Sequence, residues 1–156
     1  MILNSSDISL LKALQDNLSL SQIELAEIAG LSRSSCWRRI KEFEDAGLIK
    51  DRVTILDPAA LGFQITVLLS VSMKEHTDEN RKTFEGHVET LPEVMECFSV
   101  SGDWDYILQV VARDMADYND FLNSKILLHP ATRTASSSFT LRRVKYATAL
   151  PLEGLS

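Results

Sequence analysis

Cysteine is nearly absent: the 156 residues hold two, Cys36 and Cys97. One widely spaced pair makes no metal-ligand pattern. Each sits inside a patterned segment, so both read as small buried apolar residues rather than as a disulfide. Long apolar runs are missing as well; none approaches the ~18–20 residues that span a bilayer. The opening MILNSSDISLL has no basic start and no apolar block before a small-residue cleavage site, so no secretory signal is expected and the cytoplasm is the simplest location. Histidine amounts to His76, His87 and His129, scattered along the chain, each read as a surface or internally satisfied side chain.

An excess of positive charge is also lacking. The net charge is −6, a field that repels nucleic acid at long range, so any DNA contact requires a local cluster. Residues 33–52 supply one: Arg33, Arg38, Arg39, Lys41, Lys50 and Arg52 against only four carboxylates. An apolar share of 45% with 24% charge leaves enough material for a folded soluble chain of one or two domains.

What is present in the first sixty residues is helix punctuation. Ser6 reads as the cap of a helix carrying Ile8, Leu11 and Leu14. Ser21 with Glu24 three residues on forms a capping box, and Ile23, Leu25, Ala26 and Ile28 give that second helix its apolar side. Gly30 stands where the helix must end with positive φ, and Ser32 caps the next helix two residues later, a connection that forces the steep crossing of a helix-turn-helix. On the third helix Cys36, Ile40 and Phe43 share one stripe, while Ser34, Arg38 and Lys41 face away from it. Ser35 and Trp37 lie on the flanks, and Trp37 reads equally as a DNA contact or a packing residue. Arg39 lies nearer the apolar stripe, so its stem is expected to pack while its guanidinium reaches a phosphate. Hydroxyls and cations near a helix N-terminus suit a major groove. The candidate DNA-binding set is Ser32, Arg33, Ser34, Ser35, Trp37, Arg38, Arg39 and Lys41, with Lys50 and Arg52 on the extended segment after Gly47. Pro58 and Gly62 then break the chain, and the boundary is placed there: 1–60 as a DNA-binding domain, 61–156 as a second domain.

The second domain alternates. FQITVLLSVSM is a buried strand; Phe84, Val88 and Leu91 mark a helix stopped by Pro92; VMECFSVS and DYILQVVAR are strands. Asp114 caps a helix with Met115, Tyr118, Leu122 and Ile126 on one side, and one or two strands follow in TASSSFTLRRVKYATALPL. Strand–helix–strand–strand–helix–strand predicts a ferredoxin-like βαββαβ sandwich with both helices on one face, so the fold class is α+β. The other face, with Phe98, Ile107 and Val111, is too apolar for open water and calls for a second copy.

The joint between the middle strands is Ser-Gly-Asp-Trp-Asp-Tyr, Ser101–Tyr106. Spacing alone leaves two readings: a hairpin turn with two solvated aspartates, or a ligand cradle. With LAEIAGLSRSSCWRRIKEFEDAGLIK, LDPAALG and VKYATALPL, this string makes the chain resemble the Lrp/AsnC family of transcription regulators over nearly its whole length. That resemblance implies a winged helix-turn-helix head reading duplex DNA. It also implies a sensor domain that pairs into dimers and assembles further into tetramers or octamers, and a free amino acid as effector between dimers. The matching effector positions are Ser99, Gly102, Asp103 and Asp105, then Met115, Ser138, Phe139 and Thr140. The family's usual Pro-Gly after the second sensor helix is here Pro130-Ala131.

The resemblance gives those residues chemical roles. Backbone amides near Gly102 would take the effector's carboxylate, and Asp103 or Asp105 its ammonium, by charge-assisted hydrogen bonds. Met115 and Phe139 would line an apolar end, with Ser137 and Ser138 as adaptable polar groups and Trp104 beside the two carboxylates. A leucine- or methionine-like effector is the expectation, with no cofactor and no metal. Two other classes compete: an architectural DNA-binding protein that ignores amino acids, and an enzyme using Asp103 and Asp105. The latter pair has no third carboxylate, phosphate loop or nucleophile–base partner beside it in sequence, so catalysis is not expected.

Overall fold

A computed structural model describes residues 2–17 and 19–155. The chain forms two compact units: Met1–Ile55 together with Val144–Ser156, and Leu56–Arg143.

The first unit holds three helices, α1 (Ser5–Asp16), α2 (Gln22–Ala29) and α3 (Arg33–Asp45). The start of α1 differs from the sequence expectation. Its cap is Asn4, whose side chain accepts from the Asp7 amide while Asp7 accepts from the Asn4 amide, both at 2.9 Å, and Ser6 lies inside the first turn. A reciprocal pair satisfies two orphan amides where Ser6 would satisfy one. The box at Ser21 and Glu24, the left-handed Gly30 (φ 64°) and the Ser32 cap form as read. Leu10, Ala13, Leu25, Ala26, Ala29, Cys36, Ile40 and Phe43 make the core. Ile23 and Ile28 stay exposed, because the short α2 buries only the stripe of Leu25, Ala26 and Ala29. Among the described residues of this unit no strand forms; residues 50–57 belong to no regular element. The tail returns to α1: Gln15 exchanges two hydrogen bonds with the Leu150 backbone, at 2.8 and 3.1 Å, and Lys12 meets Glu153 at 2.9 Å.

The second unit contains β1 (Ile65–Met73), α4 (Asp78–Glu89), β2 (Val94–Ser99), β3 (Tyr106–Ala112), α5 (Met115–Phe121) and β4 (Thr132–Phe139). The strands lie in the order β2-β3-β1-β4, all antiparallel. Alternation decides the faces. Val67, Leu69, Val71 and Met73 of β1 and Tyr106, Leu108, Val110 and Ala112 of β3 pack with Phe84, Val88, Leu91, Tyr118, Phe121 and Ile126 in a single core. Fully burying a side chain such as Phe84 or Leu69 contributes roughly 1.5–3 kcal/mol, so this face holds the sheet to its helices. Residues in the opposite phase, Leu68 at 44% exposure and Phe98 at 53%, remain open to solvent. After α5 the chain continues through a π-helical turn, Leu122–Leu127. One late strand forms rather than two: beyond Phe139 the chain makes no further strand among the described residues. Cys97 corrects the opening expectation as well. It is exposed on the edge strand β2, whereas Cys36 is buried, and both are free thiols.

Candidate functional site

In the first unit the candidate residues stand largely on one helix. Ser34, Trp37, Arg38 and Lys41 are exposed together, at i, i+3, i+4 and i+7, opposite the buried Cys36, Ile40 and Phe43. Ser32, Ser34 and Ser35 satisfy one another: the Ser32 hydroxyl donates to Ser35 Oγ at 2.8 Å, accepts from the Ser35 amide, and lies 3.2 Å from Ser34 Oγ. Arg38 is 3.8 Å from Glu42, and Lys41 lies 3.6 and 3.4 Å from Glu44 and Asp45. Such exposed pairs are worth little and are readily exchanged for a phosphate. Arg52 meets Glu44 at 2.8 Å, while Arg33 and Lys50 are solvent-facing.

Arg39 does not reach outward. Its guanidinium grips both carboxylate oxygens of Asp7, at 2.6 and 2.7 Å, and donates to Glu42 at 2.6 Å. The Asp7 side chain is only 3% exposed. The Arg39 hydrogen bonds hold its carboxyl below the usual carboxylate range, against the opposing effect of burial, and Asp7 in turn pushes the guanidinium further up. The expectation that Arg39 serves a phosphate is therefore corrected: a bidentate pair inside the head leaves it no donor fork to offer. Instead it ties α1 to α3. The signal was in the sequence as a lone Asp on the apolar side of the first helix, but its partner lies 32 residues away.

In the second unit the candidates fall into two groups. At one end of the sheet is the β2–β3 hairpin with Ser99, Gly102, Asp103, Trp104 and Asp105. Gly102 has φ 117°, a conformation an L side chain resists, so the turn itself requires it. Asp105 is already engaged. One oxygen accepts from the Met73 amide at 2.8 Å, and the other pairs with His76 Nε2 at 2.8 Å. It fastens the hairpin to the end of β1, and His76, read as a surface residue, belongs to this cluster. Asp103 is exposed at the tip, and its carbonyl accepts from the Ser72 hydroxyl at 3.5 Å.

Towards the other end are Met115, Phe139 and Thr140, with Ser137 and Ser138 opposite Leu69 and Leu68 near the middle of β1. The Tyr118 hydroxyl meets Ser137 Oγ, and its ring stands edge-on to Phe139 at 5.2 Å. Burial raises the Tyr118 phenol above its ordinary range, so it stays neutral and can donate. Thr140 bonds the Thr66 carbonyl through both amide and hydroxyl, at 3.0 Å each. Met115 opens α5 one turn before Tyr118 and is exposed. β1 pairs Ile65 with Ala112 and Val71 with Tyr106, so the hairpin and the Met115 end lie a strand length apart, ~20 Å. Ser138 faces the open side of the sheet beside Leu68, whereas Ser137 and Phe139 face the helices.

The remaining histidines are neighbours rather than scattered. His87 and His129 stack at 5.0 Å between ring centroids, with Phe84 edge-on to His129 at 5.4 Å. His87 Nε2 contacts the Lys125 carbonyl at 2.7 Å, and burial, then His87, holds His129 below its ordinary range. Among the described residues no group of three or more His, Cys, Asp or Glu side chains is placed to hold a metal, and no helix is long and apolar enough to cross a membrane.

Comparison with known proteins bears on both units. Residues 3–50 match the winged helix-turn-helix DNA-binding model, and residues 66–150 match the Lrp/AsnC ligand binding domain. The chain is 33% identical to the DNA-binding transcriptional activator DecR of Escherichia coli over 97% of its own length and 100% of that protein's. It is 37% identical to the glutamate uptake regulatory protein of Zymomonas mobilis over 96% and 91%. Among solved structures, a Neisseria meningitidis transcriptional regulator in complex with L-methionine superposes with a TM-score of 0.93 at 36% identity, covering 99% of each chain. An AsnC family regulator from Agrobacterium tumefaciens gives 0.89 at 39% identity, over 96% and 97%.

Proposed function

Because the chain belongs to the Lrp/AsnC family and is a DNA-binding transcription regulator with an amino-acid-binding domain, we propose that its effector is an apolar α-amino acid held where two copies meet. One observation carries this reading: the hairpin and Met115 stand beyond opposite ends of β3, ~20 Å apart, a gap no single amino acid bridges. A hairpin from one copy set against the Met115–Phe139 end of another closes it. The solvent-exposed Leu68 and Phe98 support self-association, since apolar sheet faces of this kind mark protein contacts.

Within that site Asp103 is the carboxylate for the effector's ammonium, because both Asp105 oxygens already have partners in the chain. Amides at the Gly102 turn take the carboxylate group, and Met115 with Phe139 takes the side chain. The methionine in the Neisseria relative favours methionine or leucine here. Residues 1–60 serve as the reading head and 61–156 as the sensor, with the tail beyond 143 laid on the head. The working form is a homodimer or a larger even assembly, in the cytoplasm with the DNA it reads. It needs no cofactor and catalyses no reaction, as its regulator relatives suggest.

The test is a thermal-shift screen of all twenty amino acids, followed by sedimentation with and without the hit. Methionine or leucine is expected to raise the melting temperature and change the assembly. Replacing Asp103 by Asn removes one charge-assisted bond and weakens binding ~10–100-fold. A shift undiminished in that variant, or full occupancy by a monomer, rules the arrangement out.

A further inference from the structure

The outward stripe of α3 contains one residue that charge does not explain. Ser34, Arg38 and Lys41 are the hydroxyl and cations expected of a DNA face, but Trp37 stands among them 57% exposed. A surface meant for solvent or for phosphate oxygens has no use for an indole, which water solvates poorly. A surface meant for base edges does. In the major groove the thymine C5-methyl is the apolar group that base pairs display, and flat apolar side chains recognise it by contact.

The electrostatics of the same helix add weight. Arg39 is committed to Asp7, and Glu42, Glu44 and Asp45 sit beside the remaining cations at 3.4–3.8 Å. With Arg39 withdrawn, the stripe keeps fewer cations than the sequence of α3 suggests, which leaves more of the discrimination to contact with base edges.

We propose that Trp37 is a specificity-determining residue that packs on thymine methyl groups in the major groove, while Arg38 and Lys41 beside it on the same helix fix the register through phosphates or guanine. The inference rests on the reading of α3 as the DNA-contacting helix. It gives Trp37 a role distinct from a contact between copies.

The experiment uses the full-length protein to select duplexes from a random pool. The enriched duplex is then remade with each thymine singly replaced by deoxyuridine, which removes the methyl and nothing else. At one or two positions deoxyuridine is expected to weaken wild-type binding about fourfold, the value of one buried methyl-sized group. Trp37→Ala is expected to bind the parent duplex more weakly and to lose its response to those same substitutions. Trp37→Phe, which keeps an apolar ring, retains part of it. Unchanged melting and sedimentation of both variants accompany this result, since the side chain lies outside the core.

Wild-type indifference to every deoxyuridine overturns the proposal, as does a Trp37→Ala protein still sensitive at the same positions, or one whose only change is in assembly. Failure of the wild type to enrich or bind any duplex at low salt would instead overturn the DNA-contacting reading itself.

Discussion

The head and the sensor hold their candidate sites in opposite ways. On α3 the exposed contact residues are consecutive turns of one helix, so a short stretch of chain completes the surface. In the sensor the hairpin carboxylates and Met115 stand beyond opposite ends of β3, so under the proposed arrangement no single copy completes the site. The difference teaches what each part depends on. The head, so read, needs its helices held at a fixed angle; the sensor, in the arrangement proposed, needs a neighbour.

The strongest way to break that contrast is to loosen the head from inside. Asp7→Ala strips Arg39 of its bidentate partner, leaving it with Glu42, and is expected to cost ~2 kcal/mol, the worth of hydrogen bonds to a charged group. Chemical denaturation should show the loss, and DNA binding should fall even though Asp7 faces no DNA. The pH dependence follows from the direction of the shift. The Asp7 pKa is lowered in the folded head, so its stabilisation is full above the unfolded value near 3.8 and disappears as pH falls through the lower folded value. Asp7→Asn should flatten that acid limb. An unchanged limb would mean that the Asp7–Arg39 pair contributes nothing measurable.

A middle-sized effect separates residues within the head. Arg38→Ala is expected to lower affinity for the selected duplex by ~1–3 kcal/mol and to relax its sequence preference, while Lys50→Ala weakens binding to all duplexes alike and lowers the salt slope by about one. Titrations at several salt concentrations read both. Equal losses of both kinds from Arg38 and Lys50 would erase the division between reading and anchoring.

Much of this was legible because it is local. Ser21, Glu24, Gly30 and Ser32 punctuate the helix-turn-helix within a dozen residues, and Phe84, Val88 and Leu91 mark the sensor's first helix by spacing alone. The Ser-Gly-Asp-Trp-Asp-Tyr string marked the β2–β3 hairpin for the same reason. The misses are contacts at long range. Asp7 finds Arg39 across α1 and α3, Asp105 finds the Met73 amide and His76, and His87 meets His129; periodicity carries none of these. Ile23 and Ile28 looked buried because an apolar count does not reveal how narrow a stripe an eight-residue helix can bury. The late segment alternates like a strand, yet pairing needs a partner edge, and Leu150 is instead held by Gln15.

The smallest expected effect sharpens the contrast from the sensor's side. Burial, and then His87, keeps the His129 pKa below its ordinary value of 6.5. Above that value the imidazole is neutral whether folded or unfolded and pH has no leverage. As pH falls past it, the unfolded chain takes the proton first, so sensor stability declines until the folded pKa is also passed. Among the described residues, those facing the ring are His87, Phe84, the Thr83 backbone and the Ala131 amide, which donates to His129 Nδ1 at 3.3 Å, none of them a carboxylate that would offset the charge. His129→Gln should therefore melt with less dependence on pH as pH falls below the ordinary histidine value, while the head's acid limb at lower pH stays where it was. Two separate acid windows, one removed by Asp7→Asn and the other by His129→Gln, are what two units with different internal chemistry require. A single window that both substitutions shift equally would mean that the units unfold as one.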